Sequence, residues 1–167
     1  MNKKFKRIAA SVMAVMTLAV GMTGMSASAA NTGDTDITNF IAPPSASGTY
    51  NPLPTSEDGI RYKSNDSSVY LNITSSKYSV SVQTWGINGN TWSTSSKANW
   101  TLNSIGNKTN GVTVRAGYRY QIYNKINEKG YSNAGLKFAS TNQYNSSTIT
   151  GKWSPDYSYE SGVIVAG

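Results

Sequence analysis

The sequence contains neither cysteine nor histidine. Without cysteine the chain can form no disulfide, so its stability must come from packing and strand pairing. Without histidine it lacks the commonest general base and metal ligand, and it cannot build a Ser-His or Cys-His nucleophile. These two absences exclude most hydrolase mechanisms.

Acidic residues are also scarce, with 8 Asp and Glu against 15 Lys and Arg. A glycosidase needs two carboxylates facing each other across a cleft. Apart from Asp34 and Asp36, the acids are scattered: Glu57, Asp58, Asp66, Glu128, Asp156 and Glu160. Asp34-Thr35-Asp36 resembles the start of a calcium loop, but the remaining ligand positions and the closing glutamate are missing. We therefore predict no enzyme, no bound metal and no cofactor.

The longest apolar run, residues 8–20, is shorter than the roughly 18 to 20 residues that span a bilayer as a helix. Four basic residues precede it within residues 3–7, and the small residues Ala27-Ser28-Ala29 follow it. This is the pattern of an export signal. We expect cleavage after Ala29, a secreted mature chain without stable membrane insertion, and a Gram-positive bacterial source.

Removal of residues 1–29 would leave 138 residues, which is the size of a single domain. It would also remove four basic residues, so the net charge would fall from +7 to +3. A mild positive charge is compatible with an anionic envelope polymer as partner. It is too small and too dispersed for nucleic-acid binding, which we do not predict.

Four of the five prolines lie between residues 31 and 59, where no regular period is visible. Proline and turn residues without periodicity are typical of a flexible or extended segment. We therefore predict an N-terminal arm over residues 30–59 and a single antiparallel β domain over residues 60–167.

Strict alternation of apolar and polar residues marks the β domain. In Ser67–Thr74, Val69 and Leu71 share one face and Tyr70 the other, and Tyr78–Trp85 alternates in the same way. Five further runs alternate less cleanly: Ala98–Asn103, Gly111–Arg115, Tyr118–Lys125, Asn133–Ala139 and Ser147–Trp153.

Turn residues separate these runs. Asn88-Gly89 and Asn110-Gly111 are dipeptides that tolerate positive φ in tight hairpins, and residues 127–130 form a turn that ends on glycine. Short strands at this spacing, with no helical period between them, predict an all-β fold, either an antiparallel β-sandwich or a small barrel.

Two motifs carry a resemblance, INEKGYSNAGL at residues 126–136 and GKWSPD at residues 151–156. With the leader, they resemble a loosely defined family of small exported Gram-positive (Firmicutes) proteins of unknown function with a C-terminal Gly-x-Trp-Ser-Pro-Asp motif. The resemblance covers residues 66–156, and Tyr157 departs from the serine that commonly follows. It implies the export address and the β fold, and no activity.

Aromatic residues supply the candidate binding residues. By alternation Trp85 faces away from Val80 and Val82, as Tyr70 faces away from Leu71. If Arg119 and Tyr123 lie on the same solvent side, a flat aromatic and basic strip results, suited to stacking on sugars or to a protein partner. The alternative is cross-strand aromatic pairing that only stabilises the sheet.

The motif around Trp153 has two interpretations. Ser-Pro-Asp is turn chemistry, and a tryptophan just before it can close the edge of the core. Alternatively, Trp153 is a stacking platform for a sugar ring and Asp156 accepts hydrogen bonds from its hydroxyls.

These features predict a secreted, non-catalytic β-sandwich that binds an envelope glycan, a host glycan or a protein partner through its surface. A second hypothesis is a bacteriocin-type antagonist, for which the apolar segments Phe40–Ala42 and Val163–Ala166 are the candidates. A third is a passive matrix or coat component that associates through an uncovered edge strand.

Overall fold

The alternating runs fold as strands, and short turns and loops join them. The computed structural model describes residues 32–167, so the predicted leader lies outside the described residues. Two single-turn 3₁₀ helices occur at Ser45–Ser47 and Thr55–Glu57, and no helix within the described range is long and apolar enough to cross a bilayer. The strands are β1 (Thr35–Ala42), β2 (Asn51–Pro52), β3 (Ile60–Tyr62), β4 (Val69–Ser76), β5 (Val80–Asn88), β6 (Ser96–Asn99), β7 (Val112–Val114), β8 (Tyr118–Ile122), β9 (Asn133–Ser140), β10 (Ser147–Ser154) and β11 (Val163–Val165).

The strands form two sheets. The first sheet has the order β1-β10-β4-β8-β11, and its strands pair antiparallel except for β11, which runs parallel to β8. The second has the order β2-β9-β5-β6, with β3 also paired to β9 and β7 to β5. The prediction of an all-β sandwich or small barrel is confirmed, since curled, mainly antiparallel sheets enclose the core.

One apolar core lies between the sheets. The first sheet contributes alternate residues of β4 and β8, and the second contributes alternate residues of β5 and β9, as their period of two requires. Removing this apolar surface from water stabilises the fold by about 25 cal/mol per Å². The residues that fill the core from the central strands are Val69, Leu71, Ile73, Tyr120, Ile122, Val80, Val82, Leu136 and Phe138.

The segment predicted as an N-terminal arm belongs to the sheets. Its first part forms β1, which pairs with β10 from Thr35, opposite Trp153, to Ala42, opposite Ser147. The boundary at residue 60 therefore does not separate an arm from a domain. A bulge between Ile37 and Phe40, in which Asn39 has a φ of 48°, breaks the alternation of this strand. The strand is therefore not recognisable from the sequence pattern.

Candidate binding surfaces

The predicted aromatic and basic strip is divided between the two sheets. Trp85 lies on β5 of the second sheet, whereas Tyr70 on β4 and Arg119 on β8 belong to the first. Both aromatic residues face away from the core, and the core separates the sheets. The prediction that these residues form one strip is therefore wrong, and each sheet carries its own aromatic and basic group.

On the first sheet, Tyr70 is covered by the C-terminal segment. The Tyr157 ring stacks on the Tyr70 ring with 6.4 Å between centroids and 10° between planes, which leaves Tyr70 only 8% exposed. Burial raises the pKa of Tyr70, and the Glu160 carboxylate adds to the rise. Arg119 forms an ion pair with Glu160. Tyr123 is half-buried just beyond β8, where its carbonyl accepts a hydrogen bond from the backbone N–H of Leu102.

A polar cleft of about 370 Å³ opens beside these rings. The residues around it include Asp34 and Glu160, and also Asp156, whose side chain has no exposed surface. Asp156 is ion-paired with Lys63 and Glu160 with Arg119. Both of these carboxylates are therefore engaged by cations of the chain itself.

On the second sheet, Trp85 and Trp92 lie edge to face, with 6.4 Å between ring centroids and 74° between planes. Lys137 joins them, because its Nζ is 3.9 Å from the Trp85 centroid and 5.3 Å from that of Trp92. We call Trp85, Trp92 and Lys137 the indole–lysine cluster. All three side chains are partly exposed, and the cluster combines ring faces with one positive charge.

The backbone positions this cluster. Trp85 pairs with Gly135 across β5 and β9, and the Trp92 ring lies against Gly135. A Cβ on Gly135 would approach Trp92 Cζ2 to 2.6 Å, so only glycine permits this contact. The loop of residues 89–95 carries Trp92, and the predicted tight hairpin at Asn88-Gly89 is therefore replaced by a longer connection.

Hydrogen bonds within the protein fix both indoles. Trp85 Nε1 donates to Gln83 Oε1 at 2.8 Å, and Gln83 Nε2 donates to Asn110 Oδ1 at 3.0 Å. Trp92 Nε1 donates to the carbonyl of Leu53 at 2.8 Å. Because these polar groups already have partners, the rings offer a ligand their apolar faces.

Lys137 lies against the rings of Trp85 and Trp92, and its nearest charge is another cation, Lys97. Its pKa is lowered by burial and, in second place, by the positive charge of Lys97. Lys137 itself takes part in no salt bridge within residues 32–167. An anion placed beside Lys137 and Lys97 would relieve their repulsion.

A third indole, that of Trp100, also has lysines beside it. Lys108 Nζ lies 4.1 Å and Lys129 Nζ 5.2 Å from the ring centroid of Trp100. The Trp100 ring packs against the core, and its Nε1 is buried without a hydrogen-bond partner in the described residues. The Trp100 ring is therefore mainly structural, and Lys108 and Lys129 beside it add positive charge.

Trp153 and Asp156 lie in the interior. Neither has exposed surface, and the Trp153 ring packs in the core with the Arg61 guanidinium 5.9 Å from its centroid. A ring without accessible faces cannot stack on a sugar, so the platform interpretation is wrong in this conformation. Trp153 sits opposite Leu71 on the core side of β10, where alternation places it inward.

Asp156 is held by a buried network. Its Oδ1 lies 2.7 Å from Lys63 Nζ, and its Oδ2 accepts hydrogen bonds from the backbone N–H of Ser64 at 3.0 Å and from the Ser64 hydroxyl. Ser154 Oγ donates to the carbonyl of Asp156 at 2.9 Å. The Trp-Ser-Pro-Asp motif thus fastens the end of β10 to the segment after β3.

The sequence does not predict the role of Lys63. A lysine that follows a three-residue strand resembles any exposed turn lysine, and its partner lies 93 positions away. Burial lowers the pKa of Lys63, while the hydrogen bond and charge of Asp156 raise it. The one sequence signal for a buried cation is the carboxylate of Asp156 in the Ser-Pro-Asp turn, because a buried carboxylate requires a partner.

Residues 25–157 match the DUF2712 family, which is described as a protein of unknown function. The match covers most of the chain, so the protein belongs to this family, and the match includes the Trp-Ser-Pro-Asp motif. No curated protein and no solved structure matches the chain.

Proposed function

We propose that this member of the DUF2712 family is a secreted, non-catalytic protein of a Gram-positive bacterium that binds a glycan on its indole–lysine cluster. The observation that supports the proposal most directly is the placement of Trp85 and Trp92, which are partly exposed and held by internal hydrogen bonds. Rigid indole faces bind sugar rings at little cost in side-chain entropy.

The charge around the cluster favours an envelope polymer as the glycan. Lys137 and Lys97 add positive charge without an acidic partner for Lys137 among the described residues. Carboxylate- or phosphate-bearing polymers, such as teichoic acid, complement that charge, and the amide of Gln83 holds the Trp85 ring in place. Association is then expected to weaken as salt rises.

The state of the carboxylates in the polar cleft supports a non-catalytic role. A glycosidase needs one carboxyl that stays protonated as the general acid. Asp156 has no exposed surface and Glu160 is held by Arg119, so neither carboxyl is placed to protonate a substrate in the cleft. We therefore expect no turnover when the protein is incubated with polysaccharides and reducing ends are measured.

Binding to purified peptidoglycan, teichoic acid and a glycan array tests the proposal. Trp85→Ala should weaken binding about tenfold or more, as expected for a central aromatic contact. Tyr144→Ala is the matched control, because Tyr144 is 78% exposed in the loop between β9 and β10. Absence of binding to every glycan, or equal loss in both variants, would contradict the proposal and direct attention to a protein partner.

A second candidate function is the bacteriocin-type antagonist. Its support is the exposure of Ile41 on β1 and Ile164 on β11, at 58% and 45%, on the two edge strands of the first sheet. Inhibition of related strains by the purified protein, abolished by Ile41→Lys, would favour this function over glycan binding. Growth of all tested strains at saturating protein would remove it.

A further inference from the structure

Lys63 and Asp156 are distant in sequence and meet in the interior. Lys63 follows β3 and Asp156 follows β10, and neither side chain has any exposed surface. The Lys63 Nζ lies 2.7 Å from Asp156 Oδ1. A side-chain amine and a side-chain carboxyl in contact and shielded from water are the two reactants of an amide bond.

The two oxygens of Asp156 have different surroundings. Oδ2 accepts hydrogen bonds from the Ser64 backbone N–H at 3.0 Å and from the Ser64 hydroxyl. Oδ1 faces the Lys63 amine and lies 3.4 Å from the Ser67 hydroxyl. Two donors on one oxygen stabilise the negative charge that develops there when a nucleophile attacks the carboxyl carbon. Oδ1, on the side of the amine, is then the leaving oxygen.

We propose that Lys63 and Asp156 condense in the folded chain into an amide cross-link between Nζ and Cγ. The Lys63 ammonium transfers one proton to Oδ1, and the resulting amine attacks Cγ. The Cγ–Oδ1 bond then breaks as a second proton passes from nitrogen to Oδ1, so that one water molecule leaves. No oxidant, reductant or cofactor is consumed.

Burial favours the neutral forms of the two groups, which are the forms that react. An environment that excludes water disfavours the ammonium and carboxylate relative to the neutral amine and acid that react. The pKa of Lys63 is lowered by burial, which outweighs the opposite effect of Asp156. Holding both groups in contact also removes the entropic cost of bringing them together.

The product fits the same surroundings. The amide oxygen would keep the two Ser64 donors, and the amide N–H would keep the carbonyl of Ser67, which lies 2.6 Å from Lys63 Nζ. Two buried charges would disappear. The bond would join the segment after β3 to the segment after β10, and so serve a chain without cysteine as a disulfide serves others.

The intact mass of the purified protein, measured after complete denaturation, tests this proposal. The expected mass is lower by one water molecule than the mass calculated from the sequence and the observed N-terminus. Trypsin should fail to cleave after Lys63 and should release residues 62–77 joined to residues 153–167. A chain with the full calculated mass and separate peptides would overturn the proposal.

Two variants give a chemical signature that a structural ion pair cannot produce. In Asp156→Asn the leaving group is ammonia, so the mass should fall by one ammonia molecule instead of one water molecule. Lys63→Met has no nucleophile and should show its full calculated mass. The exposed pair of Lys152 and Asp36, whose nearest atoms are 3.8 Å apart, provides the internal control and should yield no joined peptide.

Discussion

Lys63 is fully buried and Lys137 is partly exposed, and the two lysines are surrounded by different groups. Lys63 has no exposed surface, and its amine contacts the Asp156 carboxylate and the backbone carbonyl of Ser67. The side chains of Ser64 and Ser67 lie beside the same carboxylate. Lys137 is partly exposed, lies against two indoles and has another lysine as its nearest charge. Lys63 has an acidic partner within the chain, whereas Lys137 has none among the described residues. The difference separates a group that holds the fold from one suited to bind a ligand.

Asp156→Ala should have the largest effect on stability. It would leave the Lys63 ammonium in the interior without its ion-pair partner, and an uncompensated buried charge of this kind costs about 3–5 kcal/mol. Urea unfolding measures the loss. The double variant Lys63→Met/Asp156→Leu removes both charges and should recover much of it. An unchanged unfolding midpoint for Asp156→Ala would show that Lys63 does not depend on this carboxylate.

Trp153→Ala should destabilise the protein to a similar degree. The ring is fully buried between the sheets, and removing a buried tryptophan costs about 3–5 kcal/mol because a cavity remains. Thermal unfolding should show a large fall in Tm. Tyr159→Ala, at a side chain that is 90% exposed, is the control and should change little. Loss of glycan binding at wild-type stability would instead return Trp153 to the binding surface.

Gly135→Ala should disturb the indole–lysine cluster with a smaller effect on the fold. The new Cβ would approach Trp92 Cζ2 to 2.6 Å and displace the ring, and overpacking of this kind costs about 1–3 kcal/mol. Tryptophan fluorescence and glycan binding should both change. Gly33→Ala is the control, since its Cβ would have no atom nearer than 3.8 Å. Equal glycan affinity in both variants would exclude Trp92 from the ligand contact.

Lys97→Met should produce the smallest effect, a rise in the pKa of Lys137. A neighbouring positive charge makes protonation harder, so its removal moves the pKa back toward the ordinary lysine value. The pKa of Lys137 is lower in the folded chain than in the unfolded chain. The free energy of unfolding therefore increases as pH rises between these two pKa values. NMR titration of isotopically labelled lysine Nζ groups measures the shift, and Lys77→Met serves as the control. An identical Lys137 titration in both variants would contradict this account.

Seven of the eleven strands follow from local alternation, namely β4 to β10. A period of two depends only on neighbours in sequence, so Val69, Leu71 and Trp85 have the facing that alternation predicts. The other strands escape prediction for identifiable reasons. The bulge at Asn39 interrupts β1, β2 and β3 are three residues or shorter, and β11 joins its sheet by a parallel pairing that needs a distant partner.

The candidate sites were less predictable than the strands. Alternation places Trp85 outward, yet the partner that makes it a cluster, Trp92, comes from a loop with no period of its own. Tyr70 also faces outward from the core, but Tyr157 covers it from a segment 87 positions later in the chain. Exposure of a ring therefore depends on which distant segment lies over it.

The amino-acid sequence by itself determined the β class, the absence of disulfides and imidazole chemistry, and the side of each regular strand that faces the core. Only the tertiary structure decided that Lys63 and Asp156 meet, that Trp153 is enclosed, and that Lys137 lies between two indoles. The reason is that alternation is set within a few residues, whereas the burial of a charge or a ring depends on contacts between segments far apart in the chain.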